Sequence, residues 1–135
     1  MRIFFDTNVL ASAIATRGLC AELFEGIITQ YELLLCEQVL HELQRVLSQK
    51  FRLPKPVVRE YLGLLRAEGH VVAAPANLPR LRIKGPEDAP ILACAIAAKA
   101  DVFVTGDKAL LDLGKIERLP ILSPRELWQR LTGVD

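Results

Sequence analysis

The sequence has few cysteines and few histidines, and this scarcity excludes several kinds of site. Cys20, Cys36 and Cys94 are odd in number, widely spaced and outside any CxxC pair, so neither a disulfide framework nor a thiolate zinc site is expected. His41 and His70 lack the HxxxH spacing of a zinc hydrolase. No Walker A or GxGxxG loop indicates a nucleotide cofactor.

Long apolar runs and long runs of one charge are also missing. No stretch of about 18 apolar residues is available for a membrane span, and Asp6 and Asn8 interrupt the apolar start, MRIFFDTNVL, too early for a signal peptide. We therefore expect a cytoplasmic protein with no membrane partner. Seventeen basic and sixteen acidic residues give a net charge of +1, so any nucleic-acid binding must depend on a local patch.

The sequence is rich in apolar residues, which alternate between strand-like and helix-like patterns. Of the 135 residues, 51% are hydrophobic, which suits a single domain spanning 1–135. Short apolar runs between amphipathic stretches are typical of a mostly parallel sheet covered by helices. The predicted strands are 2–5, 32–36, 71–74, 102–105 and 121–122. The predicted helices are 9–15, 21–30, 37–49, 55–68, 88–100, 108–113 and one that begins after Ser123. We expect a three-layer α/β/α fold with about five strands.

Two aspartates stand where predicted strands end. Asp6 directly follows RIFF, and Asp107 follows VFVTG. Ligands of open α/β sheets bind beyond the carboxyl ends of the strands, near the point where strand order reverses. Two carboxylates placed there from different strands can share one metal ion.

Two further acids allow either a structural or a functional interpretation. Asp88 precedes an apolar helix, where its charge would favour the helix N-terminus whatever its function, and where it would also reach the carboxyl edge of the sheet. Glu42 lies at the border of an apolar helical stripe, a position at which glutamates are usually solvated. A cluster of such carboxylates would repel itself without a cation, and Mg²⁺ or Mn²⁺ is the ion that prefers oxygen ligands. Such an ion activates water for attack on a phosphodiester.

Several segments together resemble the PIN-domain family. IFFDTNVL is similar to its first motif, EQVLHEL to its second, and EDAPILACAIAAKADVFVTGDKALL to its third and fourth; the ending LPILSPRELW also fits. The resemblance runs from residue 3 to about residue 128 and is strongest to the toxins of VapBC-type toxin–antitoxin modules. It implies a PIN-like fold, Mg²⁺- or Mn²⁺-dependent endoribonuclease activity, a homodimer, and a small antitoxin protein as partner.

The resemblance also implies roles for individual residues. The catalytic and metal-binding acids would be Asp6, Glu42, Asp88 and Asp107. Asn8 and Thr105 would orient carboxylates or waters, although Asn8 also suits a helix cap and Thr105 a plain strand residue. Many relatives carry more polar residues after the third acid, whereas Ala89 and Pro90 stand here, which leaves fewer ligands for a second ion.

Two surface features bear on RNA and on self-association. The basic residues Arg80, Arg82 and Lys84 lie in a loop rich in proline and glycine before Asp88, where phosphate contact and ordinary surface charge both remain open. Apolar residues spread around more of the helix at 55–68 than one core-facing stripe requires, and this favours a dimer interface.

Two alternative functions are considered. A phosphatase of the haloacid-dehalogenase kind also begins with an aspartate after its first strand, but it needs a second aspartate where Asn8 stands. A PIN-like domain can also serve as an RNA-binding or assembly module without catalysis. Four acids fit that role poorly, because they would repel phosphate unless they were loaded with metal.

Overall fold

The fold is built around one sheet, seen in a computed structural model that describes residues 1–16, 18–75 and 88–133, without the side chains of Leu19 and Asp88. Within these residues the sheet has six strands in the order β3-β2-β1-β4-β6-β5. The strands are β1 (Arg2–Phe5), β2 (Glu32–Cys36), β3 (His70–Val72), β4 (Val102–Val104), β5 (Lys115–Ile116) and β6 (Leu119–Leu122). All neighbouring pairs are parallel except β5 with β6.

Helices connect the strands and flank the sheet, as expected for an α/β fold of this class. The helices are α1 (Thr7–Ala15), α2 (Leu19–Gln30), α3 (Glu37–Arg45), α4 (Lys55–Glu68), α5 (Asp88–Ala97), α6 (Lys108–Leu111) and α7 (Pro124–Thr132). The predicted mostly parallel α/β architecture is confirmed. No helix in the described ranges is long and apolar enough to cross a membrane.

The side chains of the central strands β1 and β4 lie in the hydrophobic core. Burial of Ile3, Phe4 and Phe5 is complete, and Phe4 stacks on Phe103 of β4 with ring centroids 5.5 Å apart. Strands buried on both faces have unbroken apolar sequences, which explains RIFF, ELLLC and VFV. This packing fixes the register between the two strands that precede Asp6 and Asp107.

The structure differs from the sequence prediction mainly at element ends. Helix α1 begins at Thr7 rather than residue 9, because Asp6 caps it. Helix α3 ends at Arg45 and continues as a π-helical segment, Val46–Lys50. Helix α5 ends at Ala97, shortly before Lys99 adopts a left-handed conformation with φ 57°. The capping box predicted at Ser123 and Glu126 is confirmed.

One strand was not predicted from the sequence. The two residues of β5 pair antiparallel with β6 at the sheet edge, and a strand of two residues leaves no detectable periodicity. The predicted strand at 121–122 is the second half of β6, which begins at Leu119. Nearly all of the predicted loop at 75–85 lies outside the described residues.

Candidate active site

The candidate site lies where the sheet reverses its strand order. From β1 the chain proceeds to β2 and β3 on one side, whereas β4, β6 and β5 lie on the other side. Asp6 follows β1 directly, and Asp107 comes three residues after β4 ends. Both aspartates therefore stand at the carboxyl edge of the two central strands, the usual ligand position of such sheets.

Asp6 is the most buried of the described acids, with only 7% of its surface exposed. Its Oδ1 accepts the amide N–H of Thr7 at 2.8 Å, and its Oδ2 accepts the hydroxyl of Thr105 at 2.7 Å. Burial raises the pKa of Asp6 above its ordinary value of 3.8, the two hydrogen bonds oppose that rise, and the charges of Glu42 and Asp107 add to it. Glu42 and Asp107 are thus each close enough to Asp6 to repel its charge.

Thr105 connects the two aspartates. It is fully buried, its hydroxyl donates to Asp6, and its Oγ1 accepts the amide N–H of Asp107 at 3.0 Å. Asp107 is half-buried and caps α6, because its Oδ1 accepts the amide N–H of Ala109 at 2.9 Å. The position of Asp107 thereby depends on the same hydroxyl that holds Asp6.

Glu42 reaches the site from α3. Its Oε2 accepts the hydroxyl of Thr7 at 3.0 Å, and its Oε1 accepts the side-chain amide of Gln38 at 3.4 Å. Glu42 itself is half-buried, at the border position predicted for it, while Thr7 is 4% exposed. The sequence analysis did not single out Thr7 or Gln38, although the hydroxyl after Asp6 in DTN was a signal that could have identified Thr7.

Of the remaining candidate residues, the structure describes the side chain of Asn8 but not those of Asp88, Arg80, Arg82 and Lys84. Asn8 is exposed in the first turn of α1, outside the hydrogen bonds that hold the acids. Asp88 is the first residue of α5. A helix that leads into a parallel strand runs back across the sheet, so this end of α5 lies at the carboxyl edge. The side chain of Asp88, together with Arg80, Arg82 and Lys84, lies outside the described residues.

The acids have no cationic partner among the described residues. The ion pairs found there join Arg2 to Glu32 and Arg66 to Glu37, and neither involves Asp6, Glu42 or Asp107. All potential ligands at the site are oxygen atoms, which suits a hard divalent cation. Within the described side chains no group of three or more His, Cys, Asp or Glu residues could hold a metal ion. Asp88 is outside that search.

An open groove lies beside Glu42 along the outer face of α3. Its volume is about 460 Å³, and its lining residues are Glu37, Gln38, His41, Glu42 and Arg45. His41 is exposed on this helix. Glu42 therefore lines both this groove and the candidate site.

The chain is similar to known proteins in both sequence and fold. A model of the PIN domain family matches residues 2–109. Among solved structures, the fold is similar to VapBC2 from Rickettsia felis, crystallised with a DNA fragment from its promoter. The TM-score is 0.70 and the identity 21%, over 91% of this chain and 98% of that chain. No curated protein matches by sequence.

Proposed function

Because the chain belongs to the PIN-domain family, whose members are nucleases that generally use divalent metals, we propose that it is an Mg²⁺- or Mn²⁺-dependent endoribonuclease. The observation that carries the proposal is the buried carboxylate of Asp6 at the carboxyl edge of β1, which the charges of Glu42 and Asp107 repel and which has no cationic partner among the described residues. A divalent ion would compensate this charge.

The ligands of the ion would be Asp6, Glu42, Asp107 and Asp88. The described acids do not complete a metal site by themselves, so the proposal requires the side chain of Asp88. When bound, the ion would supply an activated water and charge neutralisation for phosphodiester hydrolysis. The chain contributes orientation: Thr105 holds Asp6 and Asp107, and Thr7 holds Glu42.

The proposed biological role is that of the toxin of a VapBC-type module in the cytoplasm. Support comes from the similarity in fold to VapBC2, together with the motifs of the sequence. A small antitoxin protein would be the partner. Arg80, Arg82 and Lys84, which precede α5, are proposed to contact RNA phosphates near the site.

Metal-dependent cleavage is the direct test of the proposed activity. Protein stripped with a chelator is expected to leave a fluorescently labelled single-stranded RNA intact, and Mn²⁺ or Mg²⁺ added in excess should restore cleavage. The matched control is Asp112→Asn, since Asp112 is exposed and lies at the opposite end of α6 from Asp107. It should cleave at the parental rate. If the metal-loaded parent binds RNA without cutting it, the protein is a binding module instead.

A homodimer is the second expectation from the proposal. On α4, Val58, Tyr61 and Leu65 are buried, but Val57 and Leu64 remain 38% and 40% exposed. They lie seven residues apart on one helix face, an arrangement that suits a two-fold contact. Sedimentation at micromolar concentration should give a dimer of 15.0 kDa subunits, and Leu64→Glu should shift it toward monomer. A parent that sediments as a monomer would contradict the dimer and leave the proposed activity unaffected.

A further inference from the structure

Thr7 contacts two acids of the candidate site through two different donors. Its backbone N–H donates to Oδ1 of Asp6 at 2.8 Å, and its hydroxyl donates to Oε2 of Glu42 at 3.0 Å. Asp6 directly follows β1, whereas Glu42 lies on α3, so Thr7 joins two parts of the chain that are separated by α1, α2 and β2.

Glu42 needs such a contact because the hydrogen bond that it receives from its own helix, from Gln38, is long at 3.4 Å. It is half-buried at the border of α3, and a glutamate side chain has several rotamers that would extend into solvent. Repulsion from the charge of Asp6 favours those rotamers in metal-free protein. The hydroxyl of Thr7 opposes this, and the amide of Gln38 holds the other oxygen at 3.4 Å.

The donor of this hydrogen bond is a buried residue. Thr7 is 4% exposed and sits at the first position of α1, where its backbone is fixed between the cap residue Asp6 and the helix. A hydrogen bond to a charged acceptor contributes more than one between neutral groups, and burial removes much of the competition from solvent. The hydroxyl is therefore held at a defined place by the backbone.

We infer that Thr7 is the positioning residue for Glu42, turning it toward Asp6 so that a divalent cation meets both carboxylates in place. The inference rests on the proposed metal-dependent function. Groups that orient metal ligands typically account for about 10–100-fold in metal affinity. Thr7 acts through Glu42 and does not itself touch the ion.

The test compares Thr7→Val, which removes the hydroxyl and keeps the branched shape, with Thr7→Ser, which keeps the hydroxyl. Three quantities are measured for each variant. They are the Mn²⁺ affinity by titration calorimetry, the rate of RNA cleavage at saturating Mn²⁺, and the melting temperature in the absence of metal. Thr7→Val should bind Mn²⁺ about 10–100-fold more weakly. Thr7→Ser should stay close to the parent, and both should melt within a few degrees of it. The control Thr29→Val removes an exposed hydroxyl that bonds only to its own helix, and it should leave affinity unchanged.

A double variant separates positioning from a general structural effect. In a Glu42→Ala background the hydroxyl of Thr7 has no carboxylate to hold, so Thr7→Val should add no further loss of Mn²⁺ affinity. Three outcomes would overturn the inference but not the proposed function. Thr7→Val could bind Mn²⁺ as tightly as the parent, it could lose further Mn²⁺ affinity in the Glu42→Ala background, or it could fail to fold. A parent that neither binds Mn²⁺ nor cleaves RNA would overturn the proposed function and the inference with it.

Discussion

Asp107→Asn is expected to abolish metal-dependent RNA cleavage while leaving the metal-free protein about as stable as the parent. Asparagine keeps an oxygen that can cap α6 through Ala109, and it removes one of the charges that repel Asp6. The loss of a charge at a helix N-terminus costs about 0.3–1 kcal/mol, which the relief of repulsion offsets. Thermal melts in chelator and cleavage assays in Mn²⁺ measure both effects.

The same variant should lose most of its stabilisation by metal. A ligand that binds only the folded state adds about 2.7 kcal/mol at a hundredfold excess over Kd. The parent should therefore melt higher in Mn²⁺ than in chelator, and Asp107→Asn should show much less of this gain. If Asp107→Asn kept both the gain and the cleavage activity, Asp107 would not be a metal ligand.

Asp6→Asn adds a dependence on pH to this comparison. The raised pKa of Asp6 means that the folded protein binds a proton more tightly than the unfolded chain. In metal-free protein, the free energy of unfolding therefore falls as the pH rises above 3.8 and through the raised pKa of Asp6. Asp6→Asn removes this decrease, because asparagine does not titrate. The variant also removes the acceptor of the Thr105 hydroxyl, so Asp107→Asn is the cleaner test of metal binding. Melts in chelator across this range, compared between Asp6→Asn and parent, measure the difference.

Phe103→Ala is expected to cause the largest loss of stability. Phe103 is 1% exposed and stacks on the fully buried Phe4, across the two strands that lead to the site. Truncation of a buried phenylalanine costs about 3–5 kcal/mol, a large part of the roughly 5–15 kcal/mol that holds a typical domain folded. For a chain of this length the melting temperature should fall by roughly 10–20 °C.

The matched control for that truncation is Phe51→Ala. Phe51 is 37% exposed at the end of the π-helical segment, and it contacts the amine of Lys50 at 5.9 Å from its ring centroid. Its loss should cost less than about 1 kcal/mol. Equal losses for the two variants would mean that the stacked pair between β1 and β4 is not a principal source of stability.

Much of the fold could be predicted from the sequence because the buried strands are marked by unbroken apolar runs. RIFF, ELLLC and VFV were each placed correctly to within one residue, and the parallel α/β architecture followed from their alternation with helices. Elements without a periodic signal were missed. Neither the two-residue strand β5 nor the change from α-helix to π-helix at Val46 has a periodic signal in the sequence.

The site was less predictable than the fold. Asp6 and Asp107 could be proposed because the end of a strand is visible in sequence, and the structure places both at one edge of the sheet. The direction of Glu42 could not, because it depends on a hydroxyl 35 residues away. No local pattern reveals such a contact, and the assignment of these residues as metal ligands stays a prediction.

The pairing of β1 with β4 also determines when the candidate site can assemble during synthesis. The hydrogen bond from Thr105 to Asp6 joins residues 99 positions apart. Asp6 therefore cannot form this bond until Thr105 has been translated. At about 5–20 residues per second, that wait lasts roughly 5–20 s. A nascent chain that still lacks β4 therefore has no assembled candidate site.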